Sequence, residues 1–298
     1  MKAIYVILEG RLGNNLWQIA AAATLAERLQ VPFYAVPNKD YFCPEPDNCP
    51  FPEYIAPFRK TIFRDVQFSE KVPENCKHID FGYPGHEKKQ IEGDYICLHC
   101  CYPNIKTISI PLVQKLFAPS SDLCTQLKKK YPVLTQQNTC SVVVRRGDYL
   151  RLSITNPAED YYYYWKCMRK VKKLTGIKDM HYVIITDDEK WCRKYFRGHN
   201  MHLVQKEDPL IDLYISSLCL CNVLSNSTFA LWGGVLNTAK NKIVLYPTPW
   251  MGIGMRKQTQ YVPILPIDWI PIRHYSICYF KGIFLWIYNK IRNMICKR

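Results

Sequence analysis

Apolar positions along the chain gather into short, β-branched runs separated by stretches in which they recur near helical spacing, the pattern of alternating strands and helices. Residues 2–8 read as a first strand, and Gly10-Arg11-Leu12-Gly13-Asn14-Asn15 as the turn that leaves it. Leu16, Ile19, Ala20, Ala23, Leu25 and Ala26 then follow helical spacing until Gln30 and Pro32 stop the run. A second strand is predicted over 31–36. Prolines 37, 44, 46, 50, 52 and 57 follow closely, and a stretch without those amide donors is expected to be an irregular excursion. Short strands are predicted at 62–68, 77–81 and 91–97, and helices at 111–117 and 120–130.

The second half is more regular. A strand at 141–144 is followed by a loop and a helix from 161 to about 174, stopped by Gly176. Another strand at 181–185 runs into Thr186-Asp187-Asp188-Glu189 and a helix, and Val204 closes a further strand. A helix at 212–219, an extended segment at 222–224, a helix at 229–237 and a last strand at 243–246 complete the pattern. Three strand ends therefore carry polar clusters: Arg145 with Arg146, Asp187 with Asp188, and Asn226 to Thr228. In an open α/β sheet such ends converge on one crevice.

Composition sharpens this picture. At 298 residues the chain exceeds one ordinary core, and domains are expected at 1–135 and 136–272, with a closing segment at 273–298. Lysine and arginine number 40 against 25 acidic residues, so partners should be anionic: a phosphorylated substrate, an anionic membrane or nucleic acid. The basic residues form no long patch interleaved with aromatics and no recognition motif, which argues against nucleic acid. The 14 cysteines are scattered and several lie in apolar runs, as buried thiols of a reducing cytoplasm do. Cys97, His99, Cys100 and Cys101, with Cys76 and His78 upstream, also invite a zinc reading, although a second pair at matching spacing is missing.

Each polar cluster has a task that its chemistry suits. Two guanidiniums at the end of a buried strand need an anion, and their planar forks suit a diphosphate. Gly10, Gly13, Arg11 and Asn14 would bring backbone amides and polar side chains to a ligand, or serve only close packing. Asn226, Ser227 and Thr228 would donate to the same phosphates. Asp187 and Asp188 are open to three roles: accepting from a guanine edge, holding a divalent metal with Glu189, or capping the next helix. Asp148, three residues from Arg145, is placed to orient the arginines.

These motifs, in this order, resemble those of the α-1,2-fucosyltransferases of glycosyltransferase family 11. The resemblance runs from Gly10 through Val144-Arg145-Arg146-Gly147-Asp148-Tyr149 and Thr186-Asp187-Asp188 to Ser225-Asn226-Ser227-Thr228-Phe229. It implies an α/β, GT-B-like fold in which two Rossmann-like domains face a central cleft, plus a C-terminal helix. It further implies GDP-fucose as donor, inverting transfer without a metal or further cofactor, and a glycan acceptor, usually the 2-OH of a terminal β-galactoside. Donor-diphosphate binding carries over to Arg145 and Arg146. Two departures stand out. The histidine that usually begins the second motif is Val143 here, and Arg11 and Asn15 replace a glycine and a glutamine of the first, making it similar at Arg11 to the protein O-fucosyltransferases. Both bear on acceptor and linkage more than on donor.

Residues 277–288 are almost wholly apolar or aromatic, and Lys290, Arg292, Lys297 and Arg298 follow. The run is too short and too charged to span a bilayer. A basic helix resting on the inner face of the cytoplasmic membrane, where a lipid-linked glycan would be at hand, competes with a helix that simply closes the fold.

Overall fold

The computed structural model describes residues 1–44, 47–81, 92–99, 104–205, 207–255 and 263–295. They divide into two compact units. The first comprises residues 1–120 with 263–266, and the second the rest. The division passes at 120/121, so the helix that the sequence placed before a boundary at 135 packs with the second unit.

The first unit contains β1 (Ala3–Leu8), α1 (Leu12–Leu29), β2 (Phe33–Pro37), β3 (Phe42–Cys43), β4 (Cys49–Pro50), α2 (Phe51–Arg59), β5 (Lys77–Asp80), β6 (Tyr95–His99) and α3 (Ile110–Leu116). Its main sheet is parallel in the order β2-β1-β6-β5, while β3 and β4 form a small antiparallel pair. Apolar β1 and an alanine-rich α1, buried along almost its whole length, make the core.

Four expectations are corrected here. Gly13, Asn14 and Asn15 lie inside the first turn of α1 rather than in a preceding loop, because Gly10 alone makes the reversal at φ +79° and an extended Arg11 caps the helix. The proline-rich stretch is not irregular throughout. Its Pro52 sits in the first turn of α2, where an amide donor is dispensable, and Phe51, Ile55 and Phe58 bury one helical face. Residues 62–68 are turns, with only Phe68 bridging to Ala35, since the amides of Phe63 and Val66 are taken by the carbonyls of Phe58 and Phe63. The strand predicted at 91–97 starts at Tyr95, and Ile91 lies outside the described residues.

The second unit contains α4 (Ser121–Lys130), β7 (Thr139–Val144), α5 (Tyr161–Thr175), β8 (His181–Thr186), α6 (Glu189–Tyr195), β9 (Met201–Leu203), α7 (Pro209–Ser217), β10 (Cys221–Val223), α8 (Thr228–Leu236), β11 (Val244–Thr248), β12 (Ile270–Arg273) and α9 (Ile277–Ile295). All six strands are parallel, in the order β12-β11-β10-β7-β8-β9. Every residue of β7 is buried between β10 and β8, which explains its unbroken β-branched run. Val142, Val144, Tyr163, Tyr164, Cys167, Val171, Tyr182 and Ile184 share one core, so two of the four clustered tyrosines serve packing. β12 was not expected after 243–246. Its Pro271 reads as a strand breaker, yet β12 pairs only with β11, and an edge tolerates the missing donor.

The described cysteines carry free thiols. Burial pushes Cys97, Cys192 and Cys219 up to about 12, as expected of inert packing thiols in the absence of a ligand. Cys100 and Cys101 lie outside the described residues.

Candidate active site

The carboxyl end of β7 is where the second unit concentrates its charge. Val144 pairs with Thr186 across the β7–β8 ladder, so the residues leaving the two strands come face to face. Arg145 is held in a fork: Nη2 lies 2.8 Å from Asp148 Oδ1 and Nη1 lies 2.8 Å from Asp187 Oδ2. Its guanidinium also stands over the Tyr149 ring at 5.5 Å. Arg146 Nε reaches Asp188 Oδ2 at 3.1 Å, with the guanidinium 4.1 Å from the Trp191 ring centroid. The Arg146 backbone N–H donates to Asp187 Oδ1 at 2.8 Å, so one carboxylate fixes both residues.

Gly147 is required by this arrangement. A Cβ there would lie 2.8 Å from Asp187 Oδ2, displacing the carboxylate that orients Arg145. Asp188 has a second job, since its Oδ1 accepts from Trp191 N–H at 3.0 Å and caps α6. In this structure the two aspartates after β8 face the arginines and the helix end.

Both arginines are only partly covered, with 27% of the Arg145 side chain and 14% of the Arg146 side chain exposed. Two ion pairs at ~3 Å and an effective dielectric near 20 are each worth several kcal/mol of attraction before desolvation, enough to fix the forks in one orientation. A guanidinium has five N–H donors, so Arg145 keeps donors for a further anion after serving two carboxylates.

The Ser225 to Thr228 segment lies at the end of β10, next to β7 in the sheet. Tyr149 connects it to the arginines: its hydroxyl donates to the Asn226 carbonyl at 3.2 Å, and burial, against the pull of Arg145, raises its pKa to about 12. The side-chain amide of Asn226 donates to the Pro157 and Trp250 carbonyls and so ties two loops together. Ser227 is the N-cap of α8 and Thr228 its first residue. Ser141 of β7, Asn222 of β10, Ser216 and Asn237 form a buried polar chain with links of 2.7–3.0 Å, which locks α7 to the sheet.

The residues nominated in the first unit form their own cluster. Gly10 is irreplaceable on two counts, its positive φ and the 2.5 Å approach of a Cβ there to Asn14 Nδ2. Arg11 Nε pairs with Asp47 Oδ2 at 2.9 Å, and its Nη2 donates to the Pro44 carbonyl. The Leu12 N–H at the start of α1 donates to the Tyr54 hydroxyl at 2.9 Å. Buried Asn15 donates to Gln18 Oε1 and the Glu9 carbonyl, a structural role for the residue that departs from the family motif.

Sequence reasoning missed Trp191, Tyr149 and Glu159. Trp191 could have been found from its place in the first turn after the Asp188 cap. Glu159 is fully buried, its Oε2 has no partner among the described residues, and burial followed by repulsion from Asp160 raises its pKa far above the carboxylate range. A cavity of about 780 Å³ lies at the opposite, amino end of the strands, among Gln136, Thr139, Leu174, Cys219 and Asn237, away from these charges.

Comparison with known proteins agrees with the motifs. The model of "Glycosyl transferase family 11" matches residues 123–272. The chain is 31% identical over 295 residues to the O-antigen biosynthesis glycosyltransferase WbnK of Escherichia coli, covering 83% of this chain and 94% of that one. It is 25% identical over 169 residues to an alpha-1,2-colitosyltransferase of Escherichia coli, across 54% and 56% of the two chains. Among solved structures it is similar in fold to the fucosyltransferase NodZ from Bradyrhizobium, with a TM-score of 0.51 and 14% identity over 79% of this chain and 92% of that one.

Proposed function

Because the chain belongs to glycosyltransferase family 11, with a GT-B-like fold of two Rossmann-like units, we propose that it moves L-fucose with inversion from GDP-fucose to a glycan hydroxyl, the 2-OH of a terminal β-galactoside. The observation that carries this reading is the fork at Arg145, backed by Asp148 and Asp187, at the carboxyl end of the central strand of the second unit. Breaking the bond between sugar and diphosphate builds positive character at C1 while negative charge grows on the leaving phosphate. Guanidiniums already fixed in place lower that barrier without reorganising, and the transfer is read as independent of a metal. Asp148, committed to Arg145, is a positioning residue. The general base of an inverting transfer must lie on the opposite face of C1.

The name of the second relative favours an alternative donor, a GDP-linked sugar other than fucose. Donor hydrolysis across a panel of nucleotide sugars decides: turnover is expected for GDP-fucose and not for UDP-sugars, and preference for another GDP-sugar would transfer the assignment to it. Initial rates in EDTA should equal those in buffer. Loss of rate restored by magnesium or manganese would move the chemistry to a metal at Asp187 and Glu189.

Peripheral membrane binding from the cytoplasmic side, beside a lipid-linked acceptor, is part of this proposal. No helix among the described residues is long and apolar enough to cross a membrane. Helix α9 combines both roles weighed for it. Its inner face packs Tyr279, and Gly282 meets the Ser153 carbonyl so closely that no Cβ fits. Its outer face exposes Ile277, Phe280, Phe284, Tyr288 and Ile291 at helical spacing, with Phe284 79% exposed, beside Lys281, Lys290 and Arg292. Phe284→Glu should release the protein from anionic vesicles while leaving donor turnover intact. Unchanged vesicle binding would reduce α9 to a closing helix.

A further inference from the structure

Strand alternation places Cys97 and His99 on one face of β6, and the parallel register sets His78 of β5 directly beside Cys97. On that face Tyr5 stacks on Tyr34 and meets Tyr95 edge-on, and the row continues into the two histidines. His78 and His99 stack with ring centroids 5.1 Å apart, and His78 Nδ1 lies 2.8 Å from His99 Nε2. A donor atom from each histidine and the Cys97 sulfur all lie within 4.8 Å of one another. The thiol is fully buried, His99 half-buried and His78 exposed, so the three donors run from the sheet to its surface.

We propose that His78, Cys97 and His99 bind a borderline-soft divalent ion of the zinc class, clamping edge strand β5 onto β6. Two imidazoles and a thiolate are the ligand set that zinc accepts, with water in the fourth position. The three donors are already gathered on one face. Two nitrogens on one tetrahedral zinc stand about 3.3 Å apart, so the 2.8 Å contact has to open by about half an ångström. Binding exchanges the Cys97 thiol proton, released to solvent, for the metal–sulfur bond. Asp80 is paired in register with His99 at the end of β5, and Cys76 stands two residues before His78. The competing use of the same atoms is a simple hydrogen bond between two imidazoles. The second unit shows that arrangement: His181 Nδ1 lies 2.8 Å from His202 Nε2, and among the described residues no thiol joins them in a metal-ligand group. The site is remote in sequence from the arginines, and the proposal does not depend on which sugar they serve.

The experiment uses untagged full-length protein, stripped with chelator and titrated with cobalt(II) as a spectroscopic substitute and then with zinc. One equivalent of cobalt should bind with thiolate-to-metal charge-transfer absorption and the intense visible bands of a tetrahedral site, and zinc should displace it. Cys97→Ala should lose the charge-transfer band. His78→Ala, at an exposed position that tolerates the change, should weaken cobalt binding by roughly a hundredfold. His202→Ala should leave the spectrum as it is, and zinc should raise the Tm of wild type but not of His78→Ala. A wild-type spectrum without thiolate charge transfer, undiminished binding in His78→Ala, or a signal lost only in His202→Ala would each overturn the site.

Discussion

Each unit sets arginine beside a glycine where a parallel strand ends, but the two arginine sites are held by different parts of the fold. In the first unit Arg11 leans on Asp47 and the Pro44 carbonyl, both from the proline-rich excursion after β2. In the second, Arg145 and Arg146 are braced by Asp187 and Asp188 from the end of the neighbouring strand, with Asp148 closing the fork. The glycines differ in the same way. A side chain at Gly10 would strike Asn14 of its own helix, whereas one at Gly147 would strike Asp187 of another element. A loop-held arginine can be re-aimed by changing the loop, which under the proposed function would serve acceptor selection. A sheet-held pair is fixed by backbone register, which under the proposed function would serve the donor diphosphate.

This contrast can be broken at several points. Arg146→Ala should have the largest effect, a loss of roughly a hundredfold or more in turnover, because a preorganised charge partner of the leaving group disappears. Steady-state kinetics with saturating donor would reveal it. Gly147→Ala should be milder, with about a tenfold drop, since the Asp187 carboxylate must shift while both arginines stay charged. Its Arg145→Ala double variant should fall no further than Arg145→Ala alone, and additive losses would mean that the glycine acts elsewhere. Smallest is Asp47→Asn. The pair it forms with Arg11 is partly exposed and worth at most about 1 kcal/mol, so Tm should hardly move while KM for acceptor rises a few-fold and KM for donor stays constant. A donor effect there would erase the distinction between the two arginine sites.

Much of the second unit was legible because β7 is buried on both faces, and a run of Val142, Val143 and Val144 ending in two arginines has few other meanings. The polar clusters after β8 and β10 were visible too, but not what each atom does. That Asp187 meets Arg145 depends on the register of Val144 with Thr186, a pairing no local pattern encodes. Asn226 read as a phosphate donor, yet its amide is spent on the Pro157 and Trp250 carbonyls, from loops distant in sequence. Asp47 was unreadable for the same reason, coming from a stretch whose prolines hid the β3–β4 pair and α2. At His78, Cys97 and His99 the residue types were noticed, and only the pairing of β5 with β6 selected which of them meet.

The most direct test is Arg145→Lys, compared with wild type and Arg145→Ala in single-turnover transfer from GDP-fucose. Lysine keeps the charge but, as a point donor, cannot span Asp148 and Asp187 while facing a diphosphate. The rate of the chemical step should fall by roughly a hundredfold, close to that of Arg145→Ala, with GDP-fucose still bound measurably and Tm without donor little changed. A folded Arg145→Lys protein that transfers at nearly the wild-type rate would contradict the claim that a carboxylate-held fork stabilises the leaving diphosphate.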